Sequence, residues 1–508
     1  MRPLRFLAKA AVALVLVLAV AVATRRFWLP QRFAVNVPLR SLVGGGEDVA
    51  PEDVALRLQL PPSFTVTRFA SGLQNARFLR VTEAGDVVVS QPREGRVTLL
   101  RRDENGDGIS DGTTSLISGL DRPHGLALHE GFLYVGEMTA VGRIAFDAST
   151  RATSGAFERV ITGLPAGGNH WTRTIGVGPD GFLYVSVGSS CNVCIEQDSR
   201  RAAILRYDMS TWKGGVYASG LRNSVGFAWR AVDGVPPELI ATDNGRDLLG
   251  DDFPPCELNR VIEGGFYGWP YANGDRVKDP DLGAGHESEI ALSRAPIHAF
   301  AAHNAPLGIT VLDAPATPEG YRGAALVALH GSWNRSSKDG YKVVSLHWDS
   351  AGRITQRDFL TGFLRADTAI GRPVDVAQGA DGAIYVSDDY GGAVFRIAAG
   401  TRAVRSESPT QGVAAPEPAI DVAARFDPAA VARGRMLWEG NRCIQCHDPA
   451  TMAGVAPKTT KKLEHLTARY DMSKMVTYLR APQPPMPLFE MTDPERRDLA
   501  AYVLDRYR

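Results

Sequence analysis

The sequence predicts an all-β six-bladed β-propeller followed by a small all-α domain, and three observations carry that prediction. A unit of turn, apolar strand, Gly or Asp gap and second strand recurs six times between residues 61 and 400. A stretch rich in Ala, Pro, Glu and Ser over 401–427 then breaks the periodicity and reads as a linker. Beyond it, 428–508 shows helical spacing. Hydrophobic residues at 44% and charged residues at 22% exclude wholesale disorder. Lys+Arg and Asp+Glu are both 56, so the chain is formally neutral and no nucleic-acid partner is expected. No set of apolar runs could make several membrane spans, which excludes a transporter.

Taken in order, residues 1–24 look like an export segment. Arg2, Arg5 and Lys9 precede an uncharged Ala/Val/Leu stretch over 10–24, shorter than the roughly 20 residues of a spanning helix. Ala21-Val22-Ala23 offers a cleavage site, whereas Arg25, Arg26, Phe27 and Trp28 could anchor at a membrane interface. Both outcomes, cleaved signal or retained inner-membrane anchor, place the bulk of the chain in the periplasm. An N-terminal extension follows over 25–60.

Copies of the repeat include Gly85-Asp86-Val87-Val88-Val89, Gly131-Phe132-Leu133-Tyr134-Val135 and Gly181-Phe182-Leu183-Tyr184-Val185. Others begin at Glu238, Ala325 and Ala383, with one longer gap between the fourth and fifth. Partner strands lie downstream, as in Gly95-Arg96-Val97-Thr98-Leu99. Six such units fit radial four-stranded blades, with a β-sandwich as the alternative. In the C-terminal stretch, helices are expected over 431–438, 471–479 and 496–507, the last opened by the capping box Thr492-Asp493-Pro494-Glu495.

Cys443-Ile444-Gln445-Cys446-His447 is C-x-x-C-H, the attachment motif for haem c. Cys443 and Cys446 would bind the vinyl groups and His447 the iron. A thioether sixth ligand favours a raised potential, and Met486, held by Pro484, Pro485 and Pro487, is the chosen residue over Met452, Met472, Met475 and Met491. The stretch resembles class I cytochrome c along its length. A haem domain joined to a propeller needs an electron donor, which makes the propeller a candidate dehydrogenase.

Asn169-His170-Trp171-Thr172-Arg173, Leu221-Arg222-Asn223-Ser224-Val225-Gly226, Asp243-Asn244-Gly245-Arg246, Glu257-Leu258-Asn259 and Gly265-Phe266-Tyr267-Gly268-Trp269-Pro270 occur in this order. Together they resemble the pyrroloquinoline quinone (PQQ) family of soluble glucose, aldose-sugar and L-sorbosone dehydrogenases over roughly 60–400. That resemblance implies His170 as the general base; an imidazole titrates near neutrality, so activity is expected to rise as it loses its proton. It implies Arg222 and Asn223 as PQQ contacts, the guanidinium fork matching carboxylates. Arg372 and His303 fall at further cofactor positions, and Arg335 is the candidate to replace a family lysine that is Asn334 here. Gly245 and Arg246 match positions whose backbone carbonyls hold calcium, so their side chains should matter little. Val225 stands where the family has Gln, and Cys256 where it has Asp, a departure that weighs against the glucose-type structural calcium site and towards the sorbosone-like branch.

Asp103, Asn105, Asp107 and Asp111 are spaced as calcium-loop ligands, although no Glu closes the loop at Thr114; an Asx/Gly turn is the alternative. Cys191 and Cys194 form a second CxxC, expected as a local disulfide, with pairing to Cys256 the alternative. The resulting expectation is a PQQ-, calcium- and haem-dependent dehydrogenase. Its substrate would be a small sugar or aldehyde, and its electrons would pass to a downstream cytochrome or terminal oxidase. A calcium-dependent lactonase on the same architecture and a non-catalytic binding propeller remain open at this point.

Overall fold

The computed structural model describes residues 57–365, 368–400 and 426–440, then 443, 447, 463, 466, 470, 472–480, 482, 486 and 491–507. The export segment, most of the extension, residues 401–425 of the linker and Cys446 lie outside the described residues. The chain forms two compact units, Met1–Val404 and Arg405–Arg508.

The first unit holds six four-stranded antiparallel sheets, the blades of a propeller. In each, the second strand is the one visible in the sequence repeat. Val87–Gln91, Ala325–Leu329 and Ile384–Asp388 are buried at every position, because a mid-blade strand is covered on both faces and can be apolar throughout. Outer strands carry little pattern: Ala152–Thr162 is mostly exposed. The ring closes by joining its ends. Phe64–Ala70 pairs with Ala393–Ala399 from Phe64 opposite Ala399 onward, completing the sheet of Pro373–Gln378 and Ile384–Asp388. No exposed edge is left between the first and last blades.

The longer gap in the repeat has a structural cause. A hairpin of Ala272–Asn273 with Val277–Lys278 and the helix Glu287–Leu292 interrupt blade 4, between its third strand Cys256–Val261 and fourth strand His298–Phe300. Towards the axis the blades meet almost backbone to backbone. A Cβ on Gly226 would lie 2.1 Å from the Leu307 carbonyl of the next blade, so no larger residue fits that seam.

In the second unit the helices are Pro428–Gly440, Met472–Arg480 and Asp493–Arg506, each within a few residues of expectation. Glu495 reaches back to accept the Thr492 N–H at 2.6 Å, satisfying a donor the helix leaves orphaned. Trp438, Leu479, Leu499 and Val503 form the buried centre. No helix among the described residues is long and apolar enough to cross a membrane.

Candidate functional site

In an up-and-down blade, the connection from the fourth strand to the next blade opens on the same face as the turn between strands two and three. The predicted site residues fall on those connections. His170, Arg222, His303 and Arg372 precede the first strands Ile175–Val177, Phe227–Val232, Pro306–Val311 and Pro373–Gln378. Gly245, Arg246 and Arg335 sit in turns after the second strands Val235–Asp243 and Ala325–Leu329. Topology therefore gathers them on one face. The loop of Asp103, Asn105, Asp107 and Asp111 joins the third and fourth strands, Arg96–Leu100 and Thr113–Ile117, and so belongs to the opposite face. Its oxygens serve the loop itself: Asp103 accepts the N–H groups of Gly106, Asp107 and Gly108, and Asp111 accepts from Glu104 and Asn105.

His170 is half-buried, and its tautomer follows from its neighbours. Nδ1 lies 2.8 Å from the Ser189 carbonyl, which can only accept, so Nδ1 carries the proton and Nε2 the lone pair. The Ser189 hydroxyl donates to the Cys191 carbonyl and turns a lone pair towards the same Nδ1–H at 3.0 Å. Burial, then the positive charge of Arg222, pushes the imidazole pKa down to about 3. At that value the ring is neutral across the range where an ordinary histidine titrates, which moves the expected rise of activity with pH to more acidic values. Gly188 brings the next residue in, since a Cβ on it would lie 2.6 Å from His170 Cβ and 2.5 Å from Asn223 Oδ1. The candidate base and the Arg-Asn pair thus share one wall.

Arg222 is buried, and all five of its N–H donors find protein acceptors. Nε meets the Asn192 carbonyl at 3.0 Å, and Nη1 the carbonyls of Asn244 and Gly245 at 3.1 and 3.0 Å. Nη2 meets Asn192 Oδ1 at 3.0 Å and Asp247 Oδ2 at 3.3 Å. In this structure the guanidinium is therefore a fixed buried cation rather than an open fork. Asp243 holds the pair from behind, accepting the N–H groups of Arg222 at 2.9 Å and Asn223 at 2.6 Å; burial raises its pKa to about 7.

The side chain of Arg246 matters more than its sequence position implied. It is 4% exposed, and its Nη1 makes a two-point ion pair to Asp279 at 2.7 and 2.9 Å. Its Nη2 meets Asp281 at 2.7 Å. Removing one partner of a buried pair leaves an uncompensated charge, so Arg246→Met should lower unfolding stability by about 3–5 kcal/mol, measured by denaturant titration. A loss under about 1 kcal/mol would show that Asp279 is solvated without it.

Two loops grip the segment after Arg246. His303 Nε2 donates to the Gly250 carbonyl at 2.7 Å, with Nδ1 3.6 Å from Asp247. Asn334 Oδ1 accepts the Leu248 N–H at 2.8 Å, and Arg335 donates to the carbonyls of Asp251 and Ala302. Arg372 donates to the carbonyls of His330 and Gly331, both at 3.2 Å, beside a second buried cluster. There Asp389 accepts Arg77 at 2.7 Å and pairs with His330 at 2.9 Å. Burial followed by the charge of Arg372 pushes the His330 pKa down to about 4.

In the second unit Cys443, His447 and Met486 line one partly open pocket, with Met475 on the same lining. Leu463, Leu466, Leu479, Leu499 and Val503 give it an apolar lining. The His447 N–H donates to the Cys443 carbonyl at 3.2 Å, one helical turn that sets thiol and imidazole on the same side. An imidazole and a thioether could ligate a haem iron here, and the Cys443 thiol could attach its edge covalently.

The sequence pattern of the TrAA12-like family matches residues 58–252 and 286–400. The chain belongs to the TrAA12-like family. A PQQ-dependent pyranose dehydrogenase of Coprinopsis cinerea is 26% identical over 415 residues, covering 67% of this chain and 54% of that protein. An uncharacterised protein of Borreliella burgdorferi is 38% identical over 220 residues, 42% of this chain and 56% of that one. The chain thus spans about half the length of these curated relatives. A calcium structure of the Trichoderma reesei Carbohydrate-Active Enzymes Family AA12 protein shares the fold at TM-score 0.59 and 22% identity, over 68% of this chain and 97% of that one. The Coprinopsis cinerea pyranose dehydrogenase PQQ domain in its holo form superposes at TM-score 0.56, with 24% identity over 67% and 96% of the two chains.

In this TrAA12-like propeller the residues that sequence reasoning passed over are Asn192, Asp243, Asp247, Arg77 and Asp389. Asp243 lay inside a quoted motif, and Asn192 between two marked cysteines. Arg77 and Asp389 have no local signal, because only ring closure brings them together, 312 positions apart.

Proposed function

We propose that this TrAA12-like protein is an exported PQQ-dependent quinohaemoprotein dehydrogenase that oxidises an aldose or a sugar-derived aldehyde and passes electrons through its own haem c. The observation that carries the reading is the His170 side chain, its Nδ1–H committed to the Ser189 carbonyl and its Cβ packed over Gly188 beside Asn223, within reach of the Arg222 charge. PQQ, when bound, supplies a two-electron acceptor for the hydrogen on the carbinol carbon. His170 Nε2 takes the hydroxyl proton, and the Ser189 carbonyl stabilises the resulting imidazolium through Nδ1–H. Arg222 and Arg372 supply positive charge towards a carboxylated cofactor.

The carbonyls of Asn244 and Gly245 accept from Arg222, and each keeps a second lone pair. Gly245 and Arg246 are the positions that would offer backbone oxygens to calcium, which would polarise the quinone. In the second unit Cys443, with Cys446, would hold haem c covalently, and His447 and Met486 would ligate its iron. The haem supplies single-electron transfer to a downstream acceptor.

The test is spectroscopic. Full-length protein given PQQ and calcium should reduce its haem on addition of an aldose, and chelator-treated, PQQ-free protein should not. Haem reduction by aldose in the stripped protein would overturn the assignment.

A further inference from the structure

The CxxC of blade 3 has no part in the chemistry above, yet it sits between the candidate base and the cofactor arginine. Cys191 and Cys194 form a disulfide of sequence separation 3, while Cys256 is a buried free thiol. A ring of so few residues removes little chain entropy from the unfolded state, so its effect is local. The residue it encloses next to Cys191 is Asn192, and Asn192 makes five polar contacts across to other loops.

Its carbonyl accepts Arg222 Nε at 3.0 Å and the Trp269 indole N–H at 3.4 Å. Its Oδ1 accepts Arg222 Nη2 at 3.0 Å and the Asp247 N–H at 2.8 Å, and its Nδ2 donates to the Asp247 carbonyl at 3.1 Å. Two of the five donors of Arg222 therefore end on this one residue. On the side of the base, the Cys191 carbonyl receives the Ser189 hydroxyl whose lone pair faces His170 Nδ1.

We infer that Asn192, locked by the Cys191–Cys194 disulfide, is a positioning residue that holds the Arg222 guanidinium at the mouth and so sets the affinity for PQQ. The inference rests on the PQQ reading above. The backbone carbonyl is held by the disulfide ring and Oδ1 by the side chain, so the two parts of the device separate by mutation.

PQQ is titrated into the full chain with calcium present, and bound quinone is read by equilibrium dialysis. A hydrogen bond to a charged group is at stake, so Asn192→Ala should raise Kd by about 10-fold or more. The Cys191→Ser/Cys194→Ser pair should do the same. Where that pair fails to fold, phosphine reduction of folded wild type tests the ring directly and should weaken PQQ binding likewise. Asn192→Asp keeps an acceptor facing Arg222 but loses the Nδ2–H donated to the Asp247 carbonyl, so its Kd should lie between those of wild type and Asn192→Ala. An unchanged Kd in Asn192→Ala, or an Asp variant as weak as the Ala variant, would overturn the inference. Wild type that takes up no PQQ would instead overturn the functional reading beneath it.

Discussion

His170→Ala should cut aldose turnover by about 10²–10⁴-fold, the usual contribution of a positioned general base, while leaving PQQ affinity nearly unchanged. The split follows from geometry. Nδ1 of His170 is committed to Ser189, so Nε2 is its chemical end, and the charge that draws an anionic cofactor comes from Arg222 and Arg372. Two other histidines on this face offer no accessible lone pair. His303 has its Nε2 proton on the Gly250 carbonyl and its Nδ1 buried 3.6 Å from Asp247. His124 is fully buried, its ring 4.4 Å from that of Phe78 and 5.6 Å from that of Trp171.

The pH profile gives a second check. Burial depresses the His170 pKa most, then Arg222; Arg201 adds to the depression, and Asp247 and the Ser189 hydrogen bond oppose it. With the value near 3, His170 is neutral and competent throughout the range where an unperturbed histidine titrates, so the acid limb of kcat/KM that belongs to it falls below about pH 5. A limb centred near 6.5 would show that another histidine takes the proton. Steady-state kinetics on wild type and variant, with a PQQ titration on the same samples, decides both points.

The propeller was legible because its second strands are buried on both faces and so repeat as apolar runs between Gly and Asp turns. Its closure was not, since the pairing of Phe64–Ala70 with Ala393–Ala399 joins segments that no local pattern links. The same distinction holds at the site. His170 and the Arg222-Asn223 pair carried a motif, and the structure sets them together over Gly188. The acceptors that hold Arg222 did not. Asn192 is an ordinary polar residue in a loop until the fold turns it towards a buried guanidinium, and Asp247 becomes a hub only by touching Asn192, Arg222 and His303. The side chain of Arg246 was undervalued for a related reason. Its partner Asp279 lies 33 positions on, inside the insertion that lengthens blade 4, where the repeat offers no register to count from.

Met486→Ala should abolish the weak long-wavelength absorption band of sulfur–iron bonding and lower the haem potential by on the order of 0.1 V or more, within the range that axial ligands control. Two thioethers line the pocket with His447, Met486 and Met475, and their surroundings differ. Met475 belongs to the helix Met472–Arg480 and is 4% exposed, packed among Val476, Leu479 and Leu499. Its removal should therefore act as a large-to-small core substitution, costing about 2–5 kcal/mol of stability with the band retained. Met486 is only partly buried against the same core and lies between prolines in the sequence, so its loss should leave folding nearly intact. The proposed covalent link is tested separately: Cys443→Ala would remove one of its two thioether bonds, and denatured protein should then show an altered pyridine haemochrome spectrum. Optical spectra, potentiometry and denaturant unfolding on the three variants separate ligand from core. Loss of the band in Met475→Ala with its retention in Met486→Ala would reverse the assignment of the sixth ligand.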